Sequence, residues 1–182
     1  MELTETTPDF VRPAQVGDAA RFAAIQVPNM RACLQQGTDG PLSQQVVNSL
    51  DREVVQAQWE KTVAAPPQVG QHVLTAVSEG QVVGFAASYL TSESGKPVCE
   101  IIALEVDGEH TGKGNGSRLL AAVSDLAKED GAATIQVWLV AGDSERIRFY
   151  QGAGLGPAGP RRTLALSASE QVVEHLWWAS LE

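Results

Sequence analysis

Residues 100–128 read E-I-I-A-L-E-V-D-G-E-H-T-G-K-G-N-G-S-R-L-L-A-A-V-S-D-L-A-K, and the fold turns on this stretch. It opens inside an apolar strand that runs from Val98 to Val106. It crosses a loop in which Gly112, Gly114 and Gly116 alternate. It closes as a helix with Leu119, Leu120, Val123, Leu126 and Ala127 at helical spacing, and Gly131 suits the C-terminal cap. Glycine lets a backbone come close to a ligand and take positive φ. The start of a helix offers free amides and the positive end of a dipole to an anion, and Lys113 adds a formal charge. The unit therefore reads as a strand, loop and helix that hold a pyrophosphate, against the plainer reading of a glycine-rich turn. A P-loop needs G-x-x-x-x-G-K-[ST], and Gly108 is one residue too close to Gly112-Lys113. A dinucleotide fingerprint needs glycine where Ser117 stands. The formal match at Gly154, Gly156 and Gly159 contains Pro157 and leads into a strand, so it is set aside.

Upstream, Phe10–Ala14 reads as a first strand, and Asp18 as the cap of a helix carrying Phe22 and Ile25 on one face. Pro28 should break or kink that helix, with a second piece from Asn29 to Gln36. Ser43 caps a further helix whose apolar face holds Val46, Val47, Leu50, Val54 and Ala57, and Pro66-Pro67 ends it. Gln71–Val77 and Val82–Leu90 form a hairpin around Ser78-Glu79-Gly80-Gln81, and Thr91–Pro97 is a polar loop. Downstream come a strand at Thr134–Val140, a helix at Ser144–Gln151, and closing strands at Arg162–Leu166 and Glu174–Leu181. The order implies an α/β fold on a mixed sheet, and no linker or repeat divides residues 1–182 into more than one domain.

The totals exclude several classes. A formal charge of −9 over 182 residues argues against a nucleic-acid backbone as partner. No apolar run approaches the roughly 18 residues of a membrane span. The start, M-E-L-T-E-T-T-P-D-F, lacks a basic-then-apolar leader, so a cytoplasmic location is expected. Cys33 and Cys99 read as small buried thiols, and the scattered His72, His110 and His175 suggest no metal site.

Thr111 to Gly116, T-G-K-G-N-G, resembles the central signature of the GNAT superfamily of acetyl-CoA-dependent N-acetyltransferases: a strand, then [QR]-x-x-G-x-[GA], then a helix. Upstream, E-I-I-A-L-E-V resembles that family's fourth strand. Downstream, D-S-E-R-I-R-F-Y-Q-G-A-G-L resembles its N-x-x-A-x-x-x-Y-x-x-x-G-F. The resemblance implies a mostly antiparallel central sheet of six to seven strands flanked by helices. It also implies acetyl transfer from acetyl-CoA, as cosubstrate, to the primary amine of a small molecule or peptide. By the same resemblance Leu104, Glu105 and Val106 would offer backbone to the pantetheine arm. Thr111, Gly112, Lys113, Gly114, Asn115, Gly116 and Ser117 would take the pyrophosphate, and Asp143 would sit beside the cofactor. Three departures stand out. Thr111 replaces Gln or Arg, Asn115 replaces an inward aliphatic residue, and Asp143 replaces Asn. They motivate an alternative, a non-catalytic acyl-CoA- or partner-binding module of the same fold.

Acetyl transfer needs a neutral amine, a stabilised oxyanion and a proton for the leaving thiolate. Tyr150 aligns with the family tyrosine that protonates the thiolate; a half-buried helix tyrosine is the other reading. Glu100 aligns with the strand glutamate that serves as general base in some members. Strand alternation would put Glu100, Ile102, Leu104 and Val106 on one face. Glu105 is the fallback, on the other face unless a bulge shifts parity. A plain ion pair for either glutamate, or a water relay, stays open. The amine should enter across the N-terminal helices and the Thr91–Pro97 loop, with Trp59, Tyr89 and Trp138 as candidate aromatic walls. Of the adjacent Trp177 and Trp178 one must face outward, and it is a candidate homodimer contact.

Overall fold

Seven strands build one sheet in the computed structural model, which describes residues 8–182. Most of the acidic N-terminal stretch lies outside the described residues. The strands are β1 (Phe10–Pro13), β2 (Gln71–Ser78), β3 (Gln81–Glu93), β4 (Lys96–Val106), β5 (Thr134–Val140), β6 (Gly156–Ala165) and β7 (Gln171–Ser180). They lie in the order β1-β2-β3-β4-β5-β7-β6. Among the described residues only β4 and β5 run parallel, and every other pair is antiparallel. This is the mixed, mostly antiparallel sheet that the sequence leads one to expect. The helices are α1 (Ala19–Gln36), α2 (Gln44–Ser49), α3 (Arg52–Ala64), α4 (Asn115–Glu129) and α5 (Ser144–Gly152).

Both sheet faces are covered. On one, Leu119, Leu120, Val123 and Ala127 of α4 pack on Leu74, Ala76, Val83, Ala86, Ile101 and Leu104. On the other, Phe22 and Ile25 of α1 meet Phe85, Ala87 and Ala103. There Phe22 stacks on Phe85 at 4.3 Å, and Trp59 of α3 meets both rings edge-on. Each such pair adds about 0.5–1.5 kcal/mol beyond its buried area. Trp59 is thus a core residue rather than a substrate wall, with its Nε1 donating to Gln26 at 2.7 Å.

Four local expectations change. Helix α1 runs unbroken through Pro28. A proline removes one i→i−4 hydrogen bond, but buried Phe22, Ala23 and Ile25 before it and Leu34 after it tie both halves to the sheet. The helix expected from Ser43 onward is two helices. Ser43 caps α2, and Asp51 caps α3 by accepting from the amides of Glu53 and Val54 at 2.8 and 3.0 Å. An aspartate cap adds typically about 1 kcal/mol, enough to restart a helix after Leu50. The Thr91–Pro97 loop is strand to its tip, where Ser94 and Gly95 take positive φ in a tight turn. The last strand pair starts earlier than expected, at Gly156.

The helix after the glycine loop ends as predicted. Gly131 has φ +85°, and the amides of Gly131 and Ala132 donate to Lys128 and Ala127. That is a complete Schellman cap.

Candidate active site

The parallel pair at the centre is a fork. Strands β4 and β5 are paired only from Val98–Thr134 to Ile101–Val137. Beyond that point β4 continues to Val106 and β5 to Val140 without bonding each other. The edge of β4 from Ile102 onward therefore offers unpaired backbone to an extended ligand. The divergence coincides with a register shift between β3 and β4, where Ala87 faces Ala103 but Ser88 faces Ile101. Ile102 is the extra, exposed residue of this bulge. The bulge reverses side-chain parity, as such insertions do. Glu100 therefore shares a face with Ala103 and Glu105, and Leu104 joins Ile101 on the opposite face. The expected single face of Glu100, Ile102, Leu104 and Val106 is corrected accordingly.

A cavity of about 930 Å³ opens at the fork. Its walls are Leu104, Glu105 and Val106 of β4, the loop residues Thr111, Gly112, Gly114, Gly116 and Ser117, and Asp143, Arg146, Phe149 and Tyr150 around α5. Asn29, Ala32, Cys33 and Gln36 of α1 complete it. Three of the catalytic and cofactor-binding candidates stand outside its lining. Lys113 is exposed on the loop, Asn115 lies beneath it, and Glu100 sits at the foot of the fork.

The loop has a clear local cause. Gly112 and Gly114 take φ +72° and +83°, and Gly114 is the N-cap of α4. A left-handed backbone at two alternate positions turns successive amides toward one side. Asn115 is 2% exposed and sits inward within the loop. Its Nδ2 donates to the His110 carbonyl at 3.0 Å, and its Oδ1 accepts from Arg118 at 2.8 Å. A polar residue stands where an aliphatic one is usual because both ends of its amide are satisfied. Thr111 turns its hydroxyl to the Gly108 carbonyl at 3.0 Å, fastening the loop rather than reaching out of it.

Deeper in the cavity lies a charged cluster whose key member, Arg146, the sequence reading passed over. Arg146 donates to both oxygens of Glu105 at 2.9 and 2.7 Å, and its Nε lies 3.2 Å from Asp143. Asn29 Nδ2 completes the cage, 2.9 Å from Glu105 and 3.0 Å from the Val106 carbonyl. Asp143 also caps α5 by accepting from the Arg146 amide at 3.1 Å. Burial works against the Arg146 charge, but the adjoining Glu105 outweighs it and holds the guanidinium charged. Asp143 and Arg146 occupy the Asn and Ala positions of the motif quoted above, so the two departures are one ion pair. A signal was present in the sequence as opposite charges at i and i+3 on a helix start.

Tyr150 lies one turn beyond Arg146 and faces the same cavity. Among the described residues no protein group hydrogen-bonds its hydroxyl. Burial pushes that hydroxyl well above the usual tyrosine range, the Arg146 charge opposes the shift, and Glu105 adds to it. The neutral, protonated form of the hydroxyl is thereby favoured. Cys33 on α1 is likewise held as a thiol, pushed up to about 12 chiefly by burial.

Glu100 is separate from this cluster. Its carboxylate accepts from the Tyr89 hydroxyl at 3.2 Å and from Gln136 Nε2 at 2.8 Å, on the α1 side of the fork. The Thr91–Pro97 turn lies at the opposite end of β4 from the cavity and does not line it. Among the described residues no group of three or more His, Cys, Asp or Glu is placed to hold a metal, and no helix is long and apolar enough to cross a membrane.

The profile of the acetyltransferase (GNAT) family matches residues 42–155. The chain belongs to that family. It is an acyltransferase, and its fork, loop and helix occupy the matched region. Solved structures agree in fold along nearly the whole chain. Ribosomal-protein-alanine N-acetyltransferase from Brucella melitensis is 22% identical, with 94% of this chain and 99% of that one covered at a TM-score of 0.63. The structure of yncA from Salmonella typhimurium with its cofactor acetyl-CoA is 17% identical, covering 97% and 95% at 0.66. The PaiA N-acetyltransferase from Thermoplasma acidophilum in complex with coenzyme A is 16% identical, covering 92% and 98% at 0.63. A search of curated proteins finds no match.

Proposed function

We propose that this GNAT acyltransferase moves an acetyl group from acetyl-CoA to the primary amine of a small molecule or peptide by direct attack. The observation that carries this reading is the fork. It places an unpaired strand edge, a glycine loop at a helix N-terminus and a buried neutral tyrosine around one cavity of about 930 Å³. Acetyl-CoA is the cosubstrate. Its pantetheine arm would pair with the free edge at Leu104–Val106, and its pyrophosphate would take amides of the Gly112–Ser117 turn. Backbone amides near the bulge would polarise the thioester carbonyl.

Acid and base fall on opposite sides of the fork in this reading. Tyr150 gives its proton to the leaving thiolate from the α5 side. Glu100 takes the amine proton from the α1 side, directly or through a water. Glu105 is ion-paired with Arg146, whereas Glu100 accepts only from the neutral Tyr89 and Gln136, which favours Glu100 over the fallback. The same reading takes residues 1–182 as one cytoplasmic domain. Trp177 packs into the core while Trp178 is 44% exposed, so Trp178 is the candidate homodimer contact, which sedimentation velocity decides.

Calorimetry with acetyl-CoA, followed by thiol release across a panel of amines, tests the proposal. Binding together with amine-dependent thiol release is expected. No binding at millimolar acetyl-CoA refutes the cofactor reading. Binding without release on any amine favours a module that only holds acyl-CoA.

A further inference from the structure

The sheet face that carries α1 is left partly open beside the fork. Across it runs a row of residues, each opposite the next: Tyr89 on β3, Glu100 on β4, Gln136 on β5 and Trp178 on β7. Two residues along β5, Trp138 faces the same way. The Arg162 guanidinium from β6 lies over it, 4.4 Å from the ring centroid. Tyr89, Glu100, Gln136 and Trp138 are all half-buried, and half of the Arg162 side chain is exposed.

Arg162 is braced but not used up. Its Nε donates to the largely buried Glu174 at 2.5 Å, and the ring beneath fixes its plane. Among the described residues no protein acceptor bonds its two terminal amino groups. Its charge is felt across the gap at the Tyr89 hydroxyl, where it opposes the rise caused by burial and by Glu100. A carboxylate, three aromatic side chains and a cation with unspent donors thus lie along one sheet face and border the space above it. That space adjoins the point where β4 and β5 part.

We propose that this space is the acceptor site and that Arg162 selects an acceptor carrying a carboxylate beside its amine, that is, an amino acid. The inference rests on the acetyl-transfer reading and supplies its substrate class. A planar guanidinium with two free donors matches a carboxylate in geometry as well as charge, and stacking on an indole limits the entropy lost on binding. The ammonium end then lies toward Glu100. The ammonium gives up one proton through Glu100 to solvent, and the amine nitrogen attacks the thioester carbon. The C–N bond forms as the C–S bond breaks. Glu100, its first proton already passed to solvent, accepts the second nitrogen proton as the amide forms, and Tyr150 protonates the leaving thiolate and is reprotonated from solvent.

Matched acceptors test this on the unmodified enzyme. Thiol release is measured with an amino acid, its carboxamide and its decarboxylated amine, phenylalanine, phenylalaninamide and phenethylamine being one such set. The amino acid is expected to be preferred by about 10- to 100-fold in kcat/KM, the size of a charge-assisted hydrogen bond at a part-exposed arginine. Arg162→Gln should remove most of that preference, raising KM for the amino acid far more than for the carboxamide. Arg162→Lys keeps the pairing with Glu174 and the fold but loses the planar fork, and should give an intermediate ratio. Equal use of all three acceptors by the unmodified enzyme overturns this inference alone. So does an undiminished preference in a folded Arg162→Gln or Arg162→Lys protein. Acetyl-CoA binding without turnover of any acceptor overturns the acetyl-transfer reading, and this inference with it.

Discussion

Replacing Arg146 by methionine should cost the fold far more than a surface ion pair would. The substitution leaves Glu105, whose side chain is 5% exposed, as a carboxylate with one remaining side-chain donor, Asn29. Asp143 loses its Nε partner but keeps its bond to the α5 amide. Breaking a fully buried pair from one side costs about 3–5 kcal/mol. The Arg146 side chain is about a quarter exposed and Asn29 stays, so roughly 2–3 kcal/mol is expected here. For a chain of this length that lowers Tm by roughly 4–12 °C. The double variant Glu105→Met/Arg146→Met removes both charges and should recover most of the loss. Urea unfolding of the four proteins of the cycle measures it, with an expected coupling of about 2 kcal/mol. A loss below about 1 kcal/mol for Arg146→Met would show the pair to be worth no more than a solvent-exposed one. A double variant as unstable as the sum of the singles would likewise refute the reasoning.

Tyr150→Phe should lower kcat by about 10²- to 10⁴-fold with little change in acetyl-CoA affinity by calorimetry, and unchanged turnover would remove it from the mechanism. Gly114→Ala forces a Cβ onto a φ of +83° with Arg118 Nη1 3.2 Å away. The expected cost is about 1–2 kcal/mol of stability together with weakened acetyl-CoA binding, and retained affinity would argue against the loop as a phosphate site. Asp18 is bonded by Arg12 at 2.7 and 2.9 Å, by the Gln15 amide and by Thr75. Burial alone would raise its pKa, but these bonds outweigh it and hold the carboxyl below the usual range. Its contribution is therefore fully present above about pH 4, the unfolded value, and is lost as pH falls through the folded one. Asp18→Asn should flatten the acid limb of a stability–pH curve, and an unchanged limb would place the acid lability elsewhere.

Local signals in the chain determine much of this protein. The glycine loop, the α4 face and the Gly131 cap are short-range features, because helical spacing and positive φ are properties of neighbouring residues. The resemblance of Asp143–Leu155 to the family motif likewise singles out Tyr150 as a candidate from residues close in the chain. The sheet decides the rest. One extra residue at Ile102 reverses parity along β4, and nothing in E-I-I-A-L-E-V marks which strand position will bulge. That reversal sets Glu100 and Glu105 on one face and opens the fork beside them. Pro28 is carried inside α1 because packing on both sides outweighs one lost hydrogen bond. Arg146 reads as an ordinary helix charge until Glu105, forty-one residues earlier, is folded against it. Arg162 and Trp138, on strands that follow one another in the chain but do not pair, come together only across β7, which lies between β5 and β6. Periodicity and turn chemistry act over a few residues and are legible in the chain. Register, parity and the pairing of buried charges depend on strands that meet only in three dimensions.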